Sequence, residues 1–184
     1  MAAPDHTALL LVDIQNDFCT GGALPVPDSE AIIPVVNAAI ADAQDNGWPI
    51  VASRDWHPVD HCSFHHRGGP WPVHCVQDTD GAAFHDELDL PATAVRVSKG
   101  SAFEQDAYSA FDGTQLEQYL TRHGIERLQV AGLALDVCVR ATVLDALRLG
   151  FAVELLASGT RAVVADGTED VFAELAEAGA GVVR

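Results

Sequence analysis

The chain has 184 residues, 20% of them charged, with a formal net charge of −17 at pH 7. That excess of carboxylate repels phosphate backbones and anionic headgroups, which argues against nucleic acid and membrane partners and favours a small neutral one. No apolar run approaches the roughly 18 residues of a membrane span, and residues 1–6 are too few and too polar for a secretion signal, so a soluble cytoplasmic protein is expected.

In chain order, residues 8–12 form a short apolar run of buried-strand type that ends at Asp13. Ile33, Val36, Ile40 and Ala43 recur at helical spacing, with Pro34 where a first turn tolerates it and Gly47 as a stop. Residues 50–52 and 94–97 read as further strands, the latter followed by Lys99. Residues 128–131 are another, after which Cys138 opens a helix ended by Gly150, with Val139, Val143, Ala146 and Leu147 on its apolar face. Residues 152–156 form a strand, Val171, Leu175 and Ala178 mark a helix, and Gly181–Val183 is a short last strand. Strands alternating with helices predict an α/β protein, one domain over residues 1–184, with a mostly parallel sheet of about six strands and helices on both faces, a Rossmann-type three-layer arrangement. Ligands are expected beyond the carboxyl ends of such strands.

Residues 54–76 hold five of the eight histidines and two of the four cysteines. Imidazole and carboxylate suit a borderline divalent ion such as zinc, iron or manganese. Asp55 and His57 stand two apart, on one face of an extended backbone, and His74 is the natural third ligand. Two histidines and a carboxylate leave coordination positions open, as a working site requires. His65 and His66, followed by Arg67-Gly68-Gly69, read as solvated, while His61 fits either role. The cysteines show no disulfide framework and no C-x-x-C pair, which fits a reducing compartment.

Asp13, Lys99 and Cys138 all fall at strand ends, and Lys99 is the only lysine in the chain. A cysteine at a helix start beside an ammonium is expected to be largely thiolate near neutral pH, with Asp13 placed to take up and return a proton.

The segments L-L-L-V-D-I-Q-N-D-F-C, R-D-W-H-P-V-D-H-C-S-F, G-P-W-P-V-H-C-V, K-G and G-L-A-L-D-V-C-V-R-A-T, in order over nearly the whole chain, resemble the nicotinamidase (pyrazinamidase) family of isochorismatase-like cysteine hydrolases. The resemblance implies a catalytic triad of Asp13, Lys99 and Cys138 and one divalent transition metal, zinc foremost, on Asp55, His57 and His74. Some family members use a fourth ligand at the position of His61. It further implies nicotinamide as substrate, an oxyanion hole from the N–H groups of Ala134 and Cys138, and a cis peptide between Leu133 and Ala134. Substrate walls fall on Phe18, Trp71 and Tyr108, with Leu24 assigned to the core. Leu135 and Val137 depart from the family's usual Thr and Tyr or His, making the pocket more apolar. A related amidase of the superfamily, acting on another small amide or carbamoyl compound, is the alternative.

Overall fold

The structure, a computed structural model, describes residues 6–184, so residues 1–5 of the terminal segment considered above lie outside the described residues. Six parallel strands form one sheet: β1 (Thr7–Val12), β2 (Ile50–Asp55), β3 (Val95–Lys99), β4 (Arg127–Leu133), β5 (Ala152–Arg161) and β6 (Gly181–Val183). Their spatial order is β3-β2-β1-β4-β5-β6. All six residues of β1 are buried, because it lies between β2 and β4 and is covered on both faces. This double burial is why its sequence is an unbroken apolar run instead of an alternation.

The two faces are covered differently. Leu9 and Leu11 pack against α1 (Ile33–Asn46) through Val36 and Ile40, and against Cys75, Ala82 and Leu88 of the β2–β3 connection. Residues 56–94 thus do the covering that a helix does in a regular crossover. Ala8, Leu10 and Val12 point the other way, towards α2 (Leu116–Arg122), α3 (Arg140–Arg148) and α4 (Thr168–Glu177) through Leu120, Val143 and Leu175.

Three details differ from the sequence-based expectation. β2 and β3 run on to Asp55 and Lys99, so these side chains belong to the last residues of paired strands, in register with one another. Helix α2 was not anticipated, since it has seven residues and only Leu116 and Leu120 are buried. Cys138 does not open an α-helix: it sits in a π-helical turn, Leu135–Val139, and α3 begins at Arg140.

The connections from β1 and β4 leave towards opposite edges of the sheet, which opens a crevice at their carboxyl ends. The two strands approach closely there. Gly132 has φ +132°, and a Cβ on it would lie 2.1 Å from the Val12 carbonyl oxygen. Among the described residues no helix is long and apolar enough to cross a membrane.

Candidate active site

At the crevice, Lys99 is the hub. Its Nζ lies 2.9 Å from Asp13 Oδ2, 2.6 Å from Asp55 Oδ1 and 3.6 Å from Cys138 Sγ. Asp13, Lys99 and Asp55 close β1, β3 and β2, and Cys138 follows β4, so four neighbouring strands each contribute one group. Asp13 accepts a 2.7 Å hydrogen bond from the Ser53 hydroxyl at Oδ1 and has a left-handed backbone, φ +51°. Its Oδ2 meets Lys99 but has no hydrogen bond of good angle, leaving a lone pair open in a buried position.

The electrostatics follow from total burial. Desolvation alone pulls the Lys99 pKa down, but Asp13 and Asp55 outweigh it and hold the ammonium well above its ordinary value. Asp55 is opposed by burial, and Lys99 with the two histidines carries it well below the carboxylate range. Asp13 is raised, because burial and the charge of Asp55 exceed the help from Lys99. Cys138 is pushed well above the ordinary thiol value by burial, with Asp13 and Asp55 adding and Lys99 only partly compensating. Burial thus works against the resting thiolate that the sequence suggests. A helix dipole contributes about 0.3–1 kcal/mol, whereas removing a charge from water costs several. The one ammonium here is already shared by two carboxylates.

Asp55 uses its second oxygen on the other side. Oδ2 lies 3.5 Å from His57 Nε2 and 3.7 Å from His74 Nε2, and all three residues are buried. His57 Nδ1 bonds the Gly100 carbonyl at 2.8 Å, and His74 Nδ1 bonds the Pro72 carbonyl at 2.8 Å. Each ring thus carries a proton on Nδ1 and directs Nε2 towards the carboxylate, the orientation in which imidazoles ligate a metal. The donor set and its hydrogen-bonded support fit a divalent ion. Gly100 is needed for this arrangement, as a Cβ on it would lie 2.5 Å from the His57 ring. His61 stacks on His57 with centroids 4.1 Å apart, but its Nδ1 meets the Ser63 hydroxyl at 2.7 Å and its Nε2 the Gln105 carbonyl at 3.0 Å. Both ring nitrogens are engaged, and His61 stands outside the three-residue ligand cluster. His65 and His66 are exposed.

A pocket joins the two groups. Phe18, Trp71, Tyr108, Val137 and Val163 line it together with Cys138, Ala134, Asp55, His57 and His74. Trp71 Nε1–H donates to the Tyr108 hydroxyl at 3.2 Å, which fixes both rings. The Leu133–Ala134 peptide is cis, and the Ala134 carbonyl accepts from Val137 and Val139, which holds the turn carrying Cys138. Leu24, assigned to the core from sequence, also lines the pocket. Leu135 is fully buried in the core and does not line the pocket, whereas Val137 does.

Several contributors were not identified from the sequence. The Gln15 side chain pairs with the Asp55 backbone, donating to its carbonyl at 2.8 Å and accepting from its N–H at 2.8 Å. Asp17 holds the Cys75 N–H, one residue beyond His74, at 2.7 Å. Asp136 caps the N–H groups of Val163 and Val164 at 2.8 and 3.0 Å and so places Val163 in the pocket wall. The only available signals were polar residues inside otherwise apolar strand ends, which spacing cannot assign to partners.

A family model described as the isochorismatase domain matches residues 7–184. The chain is 41% identical to the nicotinamidase of Escherichia coli (strain K12), over 94% of this chain and 92% of that protein. It superposes with a TM-score of 0.94 on the pyrazinamidase of Pyrococcus horikoshii, solved in complex with zinc, at 46% identity over 97% of this chain and 99% of that one. PnC1 from L. infantum, solved in complex with nicotinate, gives 0.90 at 36% identity over 99% of this chain and 94% of that one.

Proposed function

Because the chain belongs to the isochorismatase domain family, we propose that it is a cysteine amidase that hydrolyses nicotinamide to nicotinate and ammonia, with pyrazinamide as a second substrate. The observation that carries this reading is the position of Lys99, whose Nζ touches Asp13 and Asp55 and stands 3.6 Å from Cys138. One buried ammonium thereby links a nucleophile and its base to a cluster of metal-ligating residues.

In this reading Asp13 Oδ2 takes the thiol proton as Cys138 Sγ attacks the carboxamide carbon. The open lone pair on Oδ2 and the raised pKa of Asp13 suit that step. Lys99 stays charged and offsets the negative charge that builds on sulfur. The tetrahedral oxyanion receives the N–H groups of Ala134 and Cys138. Asp13 then returns the proton to the departing ammonia, leaving a thioester. Asp13 next deprotonates the attacking water, and the proton returns to sulfur as nicotinate leaves. Asp55, His57 and His74 would hold the divalent ion, which we take to be zinc. When bound, it supplies a Lewis-acid contact for the ring nitrogen of the substrate, while Phe18 and Trp71 hold the ring plane.

A panel of carboxamides tests the reading. A nitrogen meta to the amide reaches the ligand cluster while the amide lies over Cys138, so nicotinamide and pyrazinamide should release ammonia. Benzamide, which lacks the nitrogen, and picolinamide, in which it is adjacent to the amide-bearing carbon, should be poor by a factor of 100 or more, on the order of what a lost polar contact costs. Equal kcat/KM for benzamide and nicotinamide would overturn the proposal in favour of an amidase of the same superfamily with another substrate.

A further inference from the structure

We propose that Cys19, Glu30 and His85 form a second metal site, separate from the Asp55 centre and selective for a thiophilic divalent ion such as zinc or cadmium. One donor atom of each lies within 4.8 Å of the other two. A tetrahedral ion with a thiolate at about 2.3 Å and an imidazole at about 2.0 Å separates its donors by roughly 3.5 Å. Thiolate, imidazole and carboxylate together suit zinc and its heavier relatives and disfavour magnesium or calcium, which take oxygen ligands.

The three residues come from separate segments that the fold holds together. Cys19 follows the turn Asn16–Phe18 beyond β1, Glu30 lies in the turn Ser29–Ile32 that leads into α1, and His85 precedes β3. The Asn16 N–H donates to the Ala83 carbonyl at 2.9 Å and the His85 N–H to the Ile14 carbonyl at 3.0 Å, which fixes the first and third segments to each other. The Glu30 carboxylate is oriented by the Thr20 N–H at 2.7 Å and the Ser29 hydroxyl at 3.1 Å, the kind of outer support that metal ligands carry. Cys19 and His85 line an open cleft of about 350 Å3, together with Asp17, Asp80 and Asp86. The cleft admits water to complete the coordination, and its carboxylates draw cations in. Two things oppose binding: the Glu87 N–H donates to His85 Nδ1 at 3.2 Å and occupies the lone pair of the neutral ring, and burial raises the Cys19 thiol. The site is therefore weaker than the Asp55 centre, whose imidazoles are already turned for ligation.

The site itself does not rest on the amidase reading, though the expected total includes one ion at the Asp55 centre, and the loss of an ion on mutation tests it without any activity measurement. The full chain, stripped by chelator and dialysed to equilibrium against cadmium chloride, should bind two ions per chain. Cys19→Ser and His85→Asn should each bind one, with Cys62→Ser as a control that keeps both. The near-ultraviolet absorption of the cadmium–thiolate bond should be weaker in Cys19→Ser than in the unaltered chain. If Cys19→Ser fails to fold by circular dichroism, His85→Asn, at a half-buried position, decides. An unaltered chain that binds no more ions than His85→Asn would overturn the proposal.

Discussion

At the scale of single residues, the centre is governed by one cation serving three partners. Lys99 is shared by two buried carboxylates, so Lys99→Ala should remove their common counter-charge and cost about 3–5 kcal/mol of stability in addition to activity. Chemical denaturation would measure it. Cys138→Ala removes the nucleophile, and since burial pushes the thiol up the change should lose essentially all turnover at nearly unchanged stability. The same burial sets a pH dependence. A thiol whose pKa is raised by folding is neutral at pH 7 and yields thiolate only as pH climbs beyond the ordinary thiol range. The alkylation rate of Cys138 by iodoacetamide should therefore keep rising above pH 9, and a plateau below pH 8 would contradict the burial argument. Cys75, raised by burial and by Asp55 and Asp17, should stay unreactive throughout.

At the scale of elements, close approaches make certain glycines and short helices decisive. Gly100, at φ +62°, follows β3 directly and leaves room for the His57 ring. Gly100→Ala would displace that ring, and metal affinity should fall by about 10–100-fold, the range typical for loss of outer support. Dialysis against a competing chelator would read this. Helix α2 is not legible in the sequence because Leu116 and Leu120 form a single i, i+4 pair, too short for a periodicity to register. Leu120 is nonetheless fully buried, and Leu120→Ala should cost about 2–5 kcal/mol, like other core truncations. By contrast α1 was legible, since Ile33, Val36, Ile40 and Ala43 repeat over three turns and Gly47 ends them in a left-handed conformation. The histidine-rich connection was legible as a ligand cluster but not as a structural layer. Its packing against α1 and β1 through Cys75, Ala82 and Leu88 has no sequence period.

At the scale of the whole molecule, a net charge of −17 makes the folded state repel itself, so added monovalent salt should raise Tm by a few degrees. A scanning calorimetry series in sodium chloride would show it, and a falling Tm would contradict it. The sequence by itself determined the α/β class, the apolar runs that become β1, β2 and β4, and the residue types with the chemistry to act: Asp13, Asp55, His57, His74, Lys99 and Cys138. These are local properties, because side-chain chemistry and hydrophobic period are read along the chain. Tertiary structure alone decided the strand order that sets the ends of β3, β2, β1 and β4 side by side, and hence that Lys99 is shared between Asp13 and Asp55. It also decided the burial that raises the Cys138 thiol, the engagement of both His61 nitrogens and the part played by Gln15. Ionisation and hydrogen bonding depend on burial and on neighbours distant in sequence, and neither exists until the sheet has formed.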